Sequence, residues 1–117
     1  MDTIVTRYLA TWNATDPAVR DELLAAHWTQ DCVYVDPLAD VAGRPAVGAT
    51  IAAVQGQFPG FVFSQVGEVD THHGQARFQW GLGPAGEEPV VIGFDVVVTD
   101  DDQRIRDVRG FLDRVPG

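Results

Sequence analysis

A change of period at Pro59-Gly60 constrains this chain more than any other feature of its sequence. Before that point apolar residues recur at helical spacing; after it they fall into strand-like runs. The first helical run, Asp2 to Asn13, places Ile4, Val5, Tyr8, Leu9 and Trp12 on one stripe. Thr15-Asp16-Pro17 starts a second, because Asp caps a helix and proline loses nothing in its first turn. This helix is expected to reach about Trp28, with Val19, Leu23, Leu24 and Trp28 inward. A short strand, Cys32 to Asp36, is stopped by Pro37. Leu38 to Arg44 reads as a loop, and Pro45 opens a third helix carrying Val47, Ile51, Val54 and Phe58. Strands follow over Phe61 to His72, Ala76 to Leu82, Val90 to Thr99 and Arg104 to Val115. Helices set ahead of consecutive strands predict an α+β architecture, a curved antiparallel sheet with the helices packed over one face.

Composition bounds the function. The chain has 117 residues, 45% of them hydrophobic. That suits one domain over residues 1–117, with room for a core and one internal cavity. Its charged residues give 8 − 17 = −9. The arginines are scattered singly, so nucleic acid and anionic membrane surfaces are excluded as partners. Lysine is absent, which removes Schiff-base and pyridoxal phosphate chemistry. The longest apolar stretch, Val90 to Val98, contains Asp95 and falls short of the ~20 residues a membrane span needs. No signal-peptide pattern opens the chain, so a cytoplasmic location is expected. Cys32 is the only cysteine, so no intrachain disulfide or thiolate cluster can form.

Asp95 is the most informative residue. Apolar neighbours occupy both faces of its strand, so a carboxylate points into a water-poor region, where it must find a partner or hold its proton. Two readings stand. Across a simple hairpin, Arg106 lies diagonally opposite and could neutralise it, with Arg109 in its place after a one-residue slip. Alternatively Asp95 is a functional carboxyl. Asp36 ends the first strand on the face that also carries Tyr34 and Cys32. It is placed either for proton transfer or simply to cap an Asp-Pro turn. Tyr8 shares its stripe with Trp12, and its buried hydroxyl needs a partner.

His72 and His73 are adjacent in a strand and so point apart, and His27 stands alone; the spacing predicts no metal site. No phosphate loop or nucleophile elbow is present, and no cofactor is expected. In the strand from Ala76, Phe78, Trp80 and Leu82 face inward while Arg77 and Gln79 face outward, which predicts an apolar, aromatic-lined cavity.

Together, Arg7 to Asp16, Tyr34-Val35-Asp36-Pro37, Gly43 to Val47, and the final strand pair from Phe94 through Arg104-Ile105 to Gly110-Phe111-Leu112 resemble the nuclear transport factor 2-like superfamily. The likeness is to its SnoaL-like branch and to the ketosteroid isomerases, and it spans nearly the whole chain. The resemblance implies a cystatin-like cone, a curved sheet wrapped by three N-terminal helices around a pocket, and a homodimer through the outer sheet face. It also implies catalytic roles for three residues: Asp36 moves a proton between carbons, while Tyr8 and a neutral Asp95 donate to the enolate oxygen. The pocket expected from these readings is lined by Trp12, Trp28, Tyr34, Phe58, Phe78, Trp80, Leu82 and Val97, and it takes a small apolar, oxygen-bearing molecule. Those isomerases follow the buried aspartate with an aromatic, where this chain has Val96 and Val97. The function implied is an acid–base isomerase or cyclase. The alternative is a non-catalytic ligand-binding or dimerisation domain.

Overall fold

A computed structural model describes residues 3–116. Helix α1 spans Thr3–Asn13 and α2 spans Pro17–His27; strands β1 (Trp28–Asp36) and β2 (Ala39–Ala42) precede helix α3 (Arg44–Gln57). Strands β3 (Phe61–His72), β4 (Gln75–Pro84), β5 (Val91–Thr99) and β6 (Ile105–Arg114) complete the order. Asp2, expected in the first helix, lies outside the described residues. Asp16 caps α2 by accepting from the Ala18 N–H at 2.9 Å. The helix stops at His27, one residue earlier than expected, and Trp28 continues as strand. The Arg44 guanidinium crosses over to satisfy the Trp28 carbonyl at 2.7 Å and the Ala25 carbonyl at 3.4 Å. A cation there suits the negative end of a helix.

The six strands form one curved sheet in the order β2-β1-β6-β5-β4-β3. Four of its pairings are antiparallel, but β1 runs parallel to β6, so the sheet is mixed rather than wholly antiparallel. The reason is topological. The four strands after α3 form a meander, and its last strand returns to lie beside β1. The segment read as a loop after Leu38 contains β2, which turns back on β1 so that Asp36 pairs with Ala39.

Val5, Tyr8, Trp12, Leu24, Val47 and Ile51 come from the three helices and are buried against Phe78, Leu82, Val97 and Val108 of the sheet. Arg77 is exposed on the other face, bonded to Asp70 at 3.3 Å. The inward alternation read for Phe78, Trp80 and Leu82 therefore holds.

Candidate active site

The first-helix stripe delivers Tyr8 to the buried middle of β5. The Tyr8 hydroxyl donates to Asp95 Oδ2 at 2.5 Å, the distance of a charge-assisted hydrogen bond. Both residues are almost fully buried, at 2% and 1% exposure. Burial pushes the Asp95 carboxyl up to about 6 and the neighbouring Asp36 charge adds to the rise, while hydrogen bonds from Tyr8 and Trp80 oppose it. Burial likewise drives the Tyr8 phenol well above its ordinary range, and the Asp95 charge drives it further.

No arginine occupies the position foreseen for one. Opposite Asp95 stands Gly110, while Arg109 pairs with Val96 and bonds to Asp107 at 2.8 Å. The simple hairpin fails for two reasons. The Asp100 carboxylate accepts from the Asp102 and Arg104 N–H groups and draws Arg104 into the turn. The register then shifts between Val98 and Thr99, leaving Arg106 unpaired and exposed. Gly110 is required where it stands: a Cβ there would lie 2.6 Å from Asp95 Oδ1 and 3.3 Å from Asp36 Cβ. Asp36, Gly110 and Asp95 thus form a row across β1, β6 and β5.

Asp36 fills the turn role considered for it, and its other oxygen is engaged by Tyr34. Its Oδ1 accepts from the Leu38 and Ala39 N–H groups, each at 2.8 Å, and so holds the turn. Its Oδ2 accepts from the Tyr34 hydroxyl at 2.6 Å. The Tyr34 phenol is raised, by burial first and then by the Asp95 and Asp36 carboxylates. Sequence reasoning put Tyr34 in the cavity wall without recognising it as this partner. The signal was present, since residues two apart on a strand share a face.

Tyr8, Tyr34 and Asp36 line an apolar cavity of about 130 Å³, together with Trp12, Phe58, Trp80 and Leu82 from the expected wall and Leu38, Val54, Phe63, Val91 and Leu112 beyond it. Trp28, Phe78 and Val97 do not reach the cavity. They lie beneath it in the core, with the Trp28 ring stacked on Tyr8 at 5.7 Å and Phe78 edge-on to Tyr8 at 5.6 Å. Trp28 belongs to β1 rather than α2, and its Nε1 donates inward to Thr11 Oγ1 at 3.1 Å. Asp95 is also off the wall, one residue behind Tyr8. The indole of Trp80 lies over Gly93, where a Cβ would come within 2.1 Å of its ring. Trp80 thus supplies an aromatic to the cavity wall from β4, while Val96 and Val97 follow Asp95 in β5. Trp12 Nε1 is buried without a well-aligned hydrogen-bond partner, and its interaction with Tyr8 opposes the rise of that phenol.

His72 and His73 do not point apart. His73 sits in the β3–β4 turn with φ 49°, and its Nδ1 comes within 3.2 Å of His72 Nδ1. Among the described residues no three His, Cys, Asp or Glu side chains gather where they could hold a metal. Cys32 is buried, and burial raises its thiol. No helix among the described residues is long and apolar enough to cross a membrane.

Fold and sequence both point to one family. Residues 5–108 match the model of the SnoaL-like domain, and the chain belongs to that family within the nuclear transport factor 2-like superfamily. It is similar to a candidate isomerase of the SnoaL-like family from Agrobacterium tumefaciens, at 39% identity over 95% of each chain with a TM-score of 0.89. A candidate polyketide cyclase from Sinorhizobium meliloti shares 18% identity over 94% of each chain, with a TM-score of 0.72. An LEH-like epoxide hydrolase from M. tuberculosis shares 15% identity over 94% of this chain and 80% of its own, with a TM-score of 0.65. The last two show likeness of fold alone. No protein of curated function matches the sequence.

Proposed function

We propose that the cavity binds a small apolar carbonyl compound and shifts a proton between two of its carbons, as an acid–base isomerase or cyclase. One observation carries the reading: a phenol backed by a buried carboxyl and a second carboxylate line the same apolar cavity. Asp36 takes the proton from the carbon next to the carbonyl and returns it farther along the conjugated system. With Asp95 protonated and donating to Tyr8 Oη, the Tyr8 hydroxyl donates to the oxygen as it gains charge, and apolar walls strengthen that bond by excluding water. The reaction as written needs no cofactor. The isomerase name of the 39%-identical relative agrees with it.

Conversion of 3-cyclohexenone to 2-cyclohexenone, followed by ultraviolet absorbance, tests the reading. Asp36→Asn keeps an oxygen to accept from Leu38 and Ala39, so the turn survives, while the base is removed. Turnover is expected to fall on the order of 10²–10⁴-fold. The second reading is a non-catalytic binding or dimerisation domain. It is favoured by the engagement of both Asp36 oxygens, one by the turn and one by Tyr34. Ligand binding with no turnover above the solution rate decides for it.

A further inference from the structure

Two short hydrogen bonds come together at the cavity wall. Tyr34 Oη lies 2.6 Å from Asp36 Oδ2, and Tyr8 Oη lies 2.5 Å from Asp95 Oδ2. The two phenols also hydrogen-bond each other. Four oxygens therefore stand in one chain, Asp36 Oδ2, Tyr34 Oη, Tyr8 Oη and Asp95 Oδ2, with three gaps between them. Each carboxyl joins the chain through Oδ2, since Asp36 Oδ1 is taken by the Leu38 and Ala39 N–H groups and Asp95 Oδ1 is packed against Gly110. Trp12 Nε1 interacts with Tyr8 from the side, and an indole N–H, which only donates, cannot carry the chain onward.

A count of protons shows which state fills the chain. With both carboxyls ionised, the two phenol protons are drawn outward, and the gap between Tyr34 and Tyr8 holds only lone pairs. One further proton closes all three gaps. On Asp95 it makes every bond run from Asp95 through Tyr8 and Tyr34 to Asp36; on Asp36 it reverses all three. No heavy atom moves between these arrangements, and a second further proton finds no gap to fill.

We propose that Tyr34 is a positioning residue that joins Asp36 to Asp95 through Tyr8, so that the two carboxyls form one acid–base unit sharing a single proton. The inference deepens the reading above, in which Asp36 is the base and Asp95 backs the acid, by naming the residue that keeps the two in opposite protonation states. Tyr34 is 3% exposed and its ring packs on Trp12 at 5.5 Å, so its hydroxyl is held in place. Burial favours the proton on Asp95, while Asp36 keeps two backbone donors suited to an anion. The base is then ionised in the same state in which the acid is protonated. When Tyr8 turns its hydrogen to a substrate, Tyr34 still holds Asp36 Oδ2, whose second lone pair is left for the substrate proton.

The surroundings supply no competing charge. Asp36 is faced by Tyr34 on its own strand, Ala39 of β2 and Gly110 of β6. Asp95 is faced by Tyr8 from α1, Tyr34 and Asp36 from β1, Phe78 and Trp80 from β4, and Gly110 from β6. None of these is a cation. Arg109 points to the outer sheet face, where it bonds to Asp107 with Asp40 nearby.

Tyr34→Phe removes the joining hydroxyl and keeps the ring on Trp12. Carbon-13 titration of the Asp36 and Asp95 carboxyls without ligand reads the coupling. In the wild type each signal is expected to move in both of two steps common to the pair; in Tyr34→Phe each should move in one step of its own. Tyr8→Phe cuts the chain at its next member and should give the same single-step pattern, which covers a Tyr34→Phe chain that fails to fold. With 3-cyclohexenone, Tyr34→Phe should lose on the order of 10²-fold in kcat at a little-changed KM, because the base is no longer aimed. Unchanged kcat overturns the positioning role. Wild-type carboxyls that titrate in independent single steps overturn the shared proton. Common steps that survive in Tyr34→Phe overturn it too, by assigning the coupling to charge acting through space. Common steps lost in the variants, in a wild type that turns over no 3-cyclohexenone, uphold the shared proton and overturn the isomerase reading alone.

Discussion

Gly110 and Asp95 face each other across β5 and β6 with no room for a side chain between them. Gly110→Ala would thrust a methyl group to within 2.6 Å of Asp95 Oδ1. The carboxyl must then turn away from Tyr8 or the strands must part. Overpacking of this kind costs about 1–3 kcal/mol, readable in urea unfolding. Unchanged stability would show that the carboxyl is not pinned by the glycine.

Asp95 makes stability depend on pH in an unusual sense. Its folded value, about 6, lies above the ordinary 3.8, so the folded state holds the proton more tightly than the unfolded chain. Its contribution is therefore complete below the ordinary value and is lost as pH rises through the folded one. A rise from 3.8 to about 6 corresponds to roughly 3 kcal/mol. Asp95→Asn, which keeps a partner for Tyr8 but never ionises, should melt higher than the wild type at pH 8 and lose that advantage at pH 4. Thermal unfolding at the two pH values checks this; a destabilised variant at pH 8 would show the carboxylate to be favourable in place.

Thr11 accepts from Trp28 Nε1 and donates to the Arg7 carbonyl at 2.9 Å, fully buried. Thr11→Val keeps the shape and strands the indole N–H, at a cost of about 1–3 kcal/mol. Chemical denaturation is expected to show that loss. The Trp28 ring also packs on Tyr8, so its fluorescence should shift with it.

On the outer sheet face, Phe111 is 61% exposed beside half-buried Phe94. A homodimer through this face, as read from the resemblance, would cover both rings. Phe111→Asp is expected to convert such a dimer to monomer in sedimentation equilibrium. A wild type that remains monomeric at high micromolar concentration removes the dimer.

Much of the site was legible because it depends on local period. The spacing of Tyr8 and Trp12 put both on one buried stripe, and the apolar run around Asp95 showed a carboxyl aimed inward. What escaped depends on strands meeting far apart in sequence. The parallel pairing of β1 with β6 and the shift past Arg106 set Gly110, not an arginine, opposite Asp95. Trp28 satisfies a helical period as well as a strand one, so only the tertiary contact with Thr11 decides its direction. Gly110 did carry a signal, since glycine inside a strand often marks a close approach.

The placement of β6 between the strands bearing Asp36 and Asp95 has a consequence for synthesis. The two carboxylates belong to strands that do not touch each other, and the last strand in chain order joins them. A nascent chain lacking β6 exposes the inner edges of β1 and β5 and brings no pair of carboxylates together. Sequence-distant pairing of this kind is slow to form. A chain cut short before the strand around Gly110 therefore has nothing to bring the two carboxylates together.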